Sequence, residues 1–113
     1  MFTIKKSALF MRQWKDYAQE YHTRAGVNIA ERFIVAVEDA LNFIRQRPYA
    51  CSIYDTGEGY EDLQIYQFRK WNLHYFPHVV LFRMGDNATI FIEVLYAHKM
   101  DMPSQLTTDI DKL

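Results

Sequence analysis

The stretch from Phe68 to Asp101, FRKWNLHYFPHVVLFRMGDNATIFIEVLYAHKMD, constrains the fold more than any other part of the chain. Two runs rich in β-branched and aromatic residues, Leu73 to Arg83 and Thr89 to Ala97, flank Met84-Gly85-Asp86-Asn87. Glycine and Asp/Asn supply the positive φ angles of a tight connection, so the pair reads as a hairpin. In the second run, strand alternation turns Ile90, Ile92, Val94 and Tyr96 one way, and Phe91, Leu95 and Ala97 the other. Both sets are mostly apolar, which predicts a central strand covered on both faces. In the first run Phe76, Val80 and Phe82 share one face, while Tyr75, Val79 and Leu81 share the other. Pro77 predicts a bulge or a bent strand start there.

Upstream, Phe2-Thr3-Ile4 reads as a short edge strand and Ser7 as a helix cap. Phe10, Trp14, Tyr17, Ala18 and Tyr21 recur at helical spacing, predicting a helix from about Ser7 to His22. Arg24-Ala25-Gly26 breaks it, and Asn28 with Glu31 approximates a capping box for a second helix. That helix carries Ile29, Ala30, Phe33, Val37, Ala40, Leu41 and Ile44 on one stripe and ends before Pro48. The two helices form an antiparallel hairpin laid on one face of the sheet. Further on, the sequence predicts a short strand at Cys51 to Tyr54, an exposed acidic loop to Asp62, and a strand from Leu63 to Trp71. The fold class is therefore α+β, with a mostly antiparallel sheet of about four strands. Residues 1–102 form a single domain and 103–113 a tail, in which Leu106, Ile110 and Leu113 have the spacing of a short helix. Val37, Leu41, Ile44, Val80, Ile92 and Val94 form the expected deep core.

A chain of 113 residues is long enough for one core and too short for two. Its one cysteine, Cys51, has no internal disulfide partner, and no Cys/His set has zinc spacing, so no metal or cofactor is expected. Lys5-Lys6 precede only a brief apolar run, Ala8 to Met11, which is too short for a signal-peptide core, and a cytoplasmic, non-membrane protein is expected. The formal charge is −1 and the sequence pI about 6.4, with no long basic block. A nucleic-acid partner would have to rely on a local patch.

Four segments in this order, SALFMRQWKDYAQEY, AERFIVAVEDALNFIRQRP, FRKWNLHYFPHVVLFR and IFIEVLYAHKMD, resemble the RelE/ParE superfamily of type II toxins, the plasmid-stabilisation proteins, nearer the ParE branch. The matching residues are Arg69, Phe76-Pro77-His78, Val80 to Arg83, and His98-Lys99-Met100-Asp101, and the resemblance spans roughly residues 2–102. It departs from the family at His78, where tyrosine is usual, and at Met100, where a second basic residue is common. The resemblance implies a toxin that inhibits DNA gyrase by binding it and is neutralised by a cognate antitoxin. It places target contacts at Arg69, Lys70, His78, Arg83, His98 and Lys99. It also implies an antitoxin segment that lays a helix on the helical hairpin and an extended piece along the sheet. Leu9, Phe10, Trp14, Ile34 and Val35 are the expected antitoxin contacts, because the apolar arc is wider than one buried stripe requires. A homodimer, a hetero-oligomer with the antitoxin, or a tail helix folded back through Leu106 and Ile110 would cover the same surface.

Two other readings stand beside the gyrase inhibitor. One is a RelE-like ribosome-dependent mRNA endonuclease, for which His98, Arg69 and Arg83 would supply proton transfer and phosphate-charge stabilisation. The other is a non-toxic member kept as an interaction module. The near-neutral composition favours binding over RNA cleavage, since a nuclease seated on ribosomal RNA calls for a strongly basic surface. The plainer expectation for His98 is a strand-end hydrogen bond to backbone. For Arg69 it is an ion pair with an acid of the 55–62 loop.

Overall fold

The computed structural model describes residues 2–113. The first strand, β1 (Thr3–Lys6), leads into two long helices, α1 (Ala8–Ala25) and α2 (Val27–Gln46). A short helix α3 (Glu61–Gln64) precedes β2 (Arg69–Asn72), β3 (His78–Met84) and β4 (Thr89–Ala97), and α4 (Met102–Asp109) follows. The sheet order is β1-β4-β3-β2. The β2–β3 and β3–β4 pairs are antiparallel, and the edge strand β1 lies parallel to β4. This is the expected α+β plan, with β4 in the interior of the sheet.

Local chemistry explains the helical hairpin. Ser7 caps α1, its Oγ accepting from the Phe10 amide at 2.9 Å while donating to the Glu93 carbonyl at 2.7 Å. Gly26, at φ 93°, is the single residue between the helices, a conformation open chiefly to glycine. The turn is therefore tighter than the capping-box pattern suggested. Asn28 lies inside α2 and the helix has no side-chain cap. Phe33, Val37, Ala40, Leu41 and Ile44 face the sheet and meet Phe10, Val80, Phe82, Ile90 and Ile92 in one core. The six residues expected to be deepest are all buried.

A second core lies on the opposite face, where Leu63, Phe68 and Leu106 cover Val79, Leu81, Val94 and Tyr96. Its existence explains a correction in β4. Leu81 opposes Val94 but Phe82 opposes Ile92, so Glu93 is the extra residue of a bulge. Alternation is reset there: Ile90 and Ile92 share the helix-side core with Leu95, while Val94 and Tyr96 join the far core. Uniform period-2 reading had put Val94 and Tyr96 with Ile90 and Ile92.

The strand boundaries also move. Leu73 to Pro77 is a loop in which Tyr75 takes φ 65° and is 98% exposed, so Tyr75 does not share a strand face with Val79 and Leu81. Pro77 makes the bend at the start of β3, with the His78 amide turned back onto the Phe76 carbonyl at 2.8 Å. In the β3–β4 turn the positive φ angles fall on Asn87 and Ala88 rather than Gly85. Gly85 instead lies against the Phe91 ring, which a Cβ there would push aside. The 63–71 strand shortens to Arg69–Asn72, since Gln64 folds its segment around Thr56. The Gln64 Oε1 accepts from the Thr56 amide at 3.1 Å, and its Nε2 donates to the Tyr54 carbonyl at 3.2 Å. The expected strand at Cys51 to Tyr54 is reduced to one bridge, Ile53 to Arg69.

Candidate functional site

The structure separates the residues that the sequence grouped as a target-binding set. Arg69 opposes Phe82 on the helix side of β2, where its guanidinium donates to the Cys51 carbonyl at 2.7 Å and lies over the Tyr49 ring. The partner is a backbone oxygen, not the loop carboxylate that the sequence suggested. Lys70 opposes Leu81 and so faces the other way. Arg83 also faces the far side, held by Glu93 at 2.7 Å beside the Tyr66 and Phe91 rings. Glu93 itself is buried, which makes this ion pair part of the bulge rather than a free cation for a ligand.

His78, His98 and Lys99 converge at the other end of β3. His78 pairs with Ala97, and His98 follows immediately, its Nε2 lying 3.2 Å from the His78 carbonyl. That is the backbone contact the plainer reading expected. Phe82 lies four residue steps along β3 from His78, which puts His98 and Arg69 on the order of 13 Å apart along the sheet. His98, Arg69 and Arg83 therefore do not assemble around one scissile bond. Proton transfer and phosphate stabilisation both require groups within hydrogen-bond reach of the same reacting atoms.

A cleft opens where His78 meets α1. Tyr17, Tyr21, Pro77 and Met100 line it, with Glu20, Arg24 and Lys99 at its rim. Tyr17 and Tyr21 sit one turn apart on α1, so both rings fall on the same flank of the helix. The His78 ring stands edge-on to Tyr17 at 4.6 Å and to Phe33 at 5.0 Å. The residue is only 4% exposed, and its Nδ1 is buried without a hydrogen-bond partner. Burial, reinforced by the charges of His98 and Lys99, pushes its pKa down to about 4, so it is neutral at physiological pH. Burial also raises the Tyr17 and Tyr21 phenols, which stay protonated. In the sequence both tyrosines carry only the helical spacing of α1. They are half-buried, packed against the helix-side core at its edge.

A second surface runs along the outside of the hairpin, between α1 and α2. Met11, Trp14, Ala18, Val27 and Ile34 line this groove. Met11, Val27 and Ile34 are exposed, whereas Leu9 and Phe10 are buried. Those two belong to the protein's own cores, because α1 turns them inward at its start. Val35 is exposed on the other flank of α2, in a separate hollow beneath Tyr75 and Phe76. Cys51 takes no part in either surface; burial pushes its thiol up to about 11.

The α+β architecture is shared with a solved structure of low sequence identity. A solved chain described as "Chromosomal ParDE TA system from P. aeruginosa" superposes with a TM-score of 0.69 at 14% identity, covering 86% of this chain and 96% of its own. The sequence matches the family described as ParE toxin of type II toxin-antitoxin system, parDE, over residues 4–102. This protein belongs to that family. The match stops where α4 begins. No curated protein matches the sequence.

Proposed function

We propose that the protein is the toxin of a type II pair, acts in the cytoplasm by binding DNA gyrase, and is held inactive by a cognate antitoxin. Membership of the ParE toxin family is the observation that carries this reading. The dispersal of Arg69, Arg83 and His98 supports binding rather than RNA cleavage. So does the near-neutral charge, because RNA affinity depends on many phosphate contacts. The groove of Met11, Trp14, Val27 and Ile34 suits the apolar face of an amphipathic antitoxin helix. Ile34 and Trp14 remain contacts in this reading. Val35 serves only if the antitoxin also crosses α2, and buried Leu9 and Phe10 leave the contact set.

Expression without antitoxin is expected to arrest growth, and purified protein to inhibit supercoiling by gyrase. Messenger RNA cleaved in ribosomes, with supercoiling untouched, would replace this reading with the nuclease one. For the groove, Ile34→Glu places a charge among apolar contacts and is expected to weaken antitoxin binding with the fold intact. Unchanged affinity would remove the groove from the antitoxin interface.

A further inference from the structure

We propose that the Tyr17–Tyr21–His78 cleft is the surface through which the protein grips its target, receiving an apolar side chain from an acidic segment of a protein partner. This rests on the binding reading above. Helix α1 has two apolar flanks. Met11, Trp14 and Ala18 face the outer groove, while Tyr17 and Tyr21 face the cleft. Trp14, Ala18, Tyr17 and Tyr21 all pack against the helix-side core but are only partly buried, so each flank keeps apolar area for a partner. The second flank thus provides an interaction surface that an antitoxin helix in the outer groove leaves open.

The rim chemistry selects the occupant. Glu20 and Arg24 neutralise one another at 3.1 Å. Lys99 is exposed and, among the described residues, belongs to no ion pair, and exposed His98 stands next to it. One free cation beside an aromatic-walled cleft suits one carboxylate next to an apolar side chain. A nucleic-acid strand needs a track of successive cations, and Glu20 would stand against its phosphates. His78 is among the residues that line the cleft, its ring packed edge-on against Tyr17 and Phe33 and its Nδ1 buried without a partner.

Charge reversal at the rim tests this in both directions. Lys99→Glu is expected to raise the concentration for half-inhibition of supercoiling about tenfold, as reversal of an interfacial charge does. Its thermal midpoint and antitoxin affinity should stay unchanged, and Lys99→Arg should inhibit like the parent. Glu20→Lys adds a cation and is expected to strengthen inhibition. If the parent inhibits and both reversal variants match it, the cleft proposal is overturned while the gyrase reading stands. If the parent arrests growth without inhibiting gyrase and Lys99→Glu relieves the arrest, with ribosomal messenger RNA intact, the gyrase reading falls and the cleft stands with another protein target. Ribosome-dependent RNA cleavage that Lys99→Glu abolishes would make the occupant RNA and overturn the proposal. A parent with no effect on gyrase or growth overturns both.

Discussion

The face of the sheet beneath α1 and α2 is covered by two long regular helices, whereas the opposite face is covered by short pieces on either side of the hairpin. The first cover is nearly continuous in sequence, since one glycine joins 18-residue and 20-residue helices. The second is assembled from α3, the turn around Phe68, and α4, which lie on either side of the β3–β4 hairpin in the chain. Long amphipathic helices announce themselves by repetition. Short covers depend on a few anchors, each of which must be placed by a specific hydrogen bond. On the far face those anchors include Gln64 around Thr56 and the Tyr96 hydroxyl, which donates to the buried Asp109 carboxylate at 2.6 Å.

The largest expected effect falls on the regular face. Phe33 is fully buried and touches the rings of Tyr17, Tyr21, Phe76 and His78. Phe33→Ala should cost about 4 kcal/mol, from lost burial plus the cavity left among rings that cannot all collapse inward. Denaturant unfolding would show it as a lower midpoint at constant slope. A loss under about 1 kcal/mol would mean that the hairpin is not the principal cover.

The far face is tested at Leu106, which is fully buried although it lies beyond the family match. Leu106→Ala should cost about 3 kcal/mol, less than Phe33→Ala because less surface and fewer neighbours are lost. Amide exchange should speed up first in α4, because a cover anchored by few side chains opens locally before the molecule unfolds. If exchange rises equally in α2, the two faces are one cooperative unit and the contrast between them fails.

The same contrast explains what was legible in the sequence. Helical spacing identified α1, α2 and their buried stripe because Phe33, Val37, Ala40, Leu41 and Ile44 recur at that period. The run Thr89–Ala97 emerged with its bounds intact, since nine residues of mainly β-branched and aromatic side chains admit little else. Its faces did not, because nothing in IFIEVLYA marks Glu93 as a bulge until the register with β3 is known. Nor did α3 show, since a four-residue helix carries no period and Gln64 acts through tertiary hydrogen bonds. At the candidate site, the resemblance named His78, His98 and Lys99 in one set with Arg69, Lys70 and Arg83, and only the pairing of the strands divides that set. The separation of Arg69 and Arg83 required the sheet register.

Ser7 ties the two faces together and ranks third. Its hydroxyl caps α1 and reaches the Glu93 carbonyl at the bulge. Ser7→Ala removes both bonds and should cost about 1.5–2 kcal/mol, more than an ordinary cap of about 1 kcal/mol. Ser7→Gly provides the comparison, because glycine keeps cap-compatible backbone while losing the hydroxyl. If alanine costs only what a solvent-exposed cap does, the bond to Glu93 contributes nothing and the faces are not coupled through α1.

The smallest effect concerns His78, at the edge of the regular face where α1 meets the start of β3. Burial holds its folded pKa at about 4, below the ordinary histidine value of 6.5. The unfolded chain therefore takes up the proton first as pH falls. Stability is unaffected by this group well above pH 6.5, declines below it, and has lost the full difference once pH drops under about 4. Between pH 6.5 and 5 the loss should be about 1–1.5 kcal/mol, the linkage integral for a depression of this direction and size. His78→Phe keeps an aromatic ring against Tyr17 and Phe33 and removes the titration. The variant retains Glu20, His98 and Lys99, the charged and titratable groups facing the ring, so the difference between the two pH profiles isolates His78. Thermal midpoints of the parent and variant should run parallel above pH 7 and diverge below 6.5, with the parent falling faster. Parallel profiles down to pH 5 would mean that the ring is solvated enough to protonate in the fold. The helix-side cover would then be looser at this end than its packing implies.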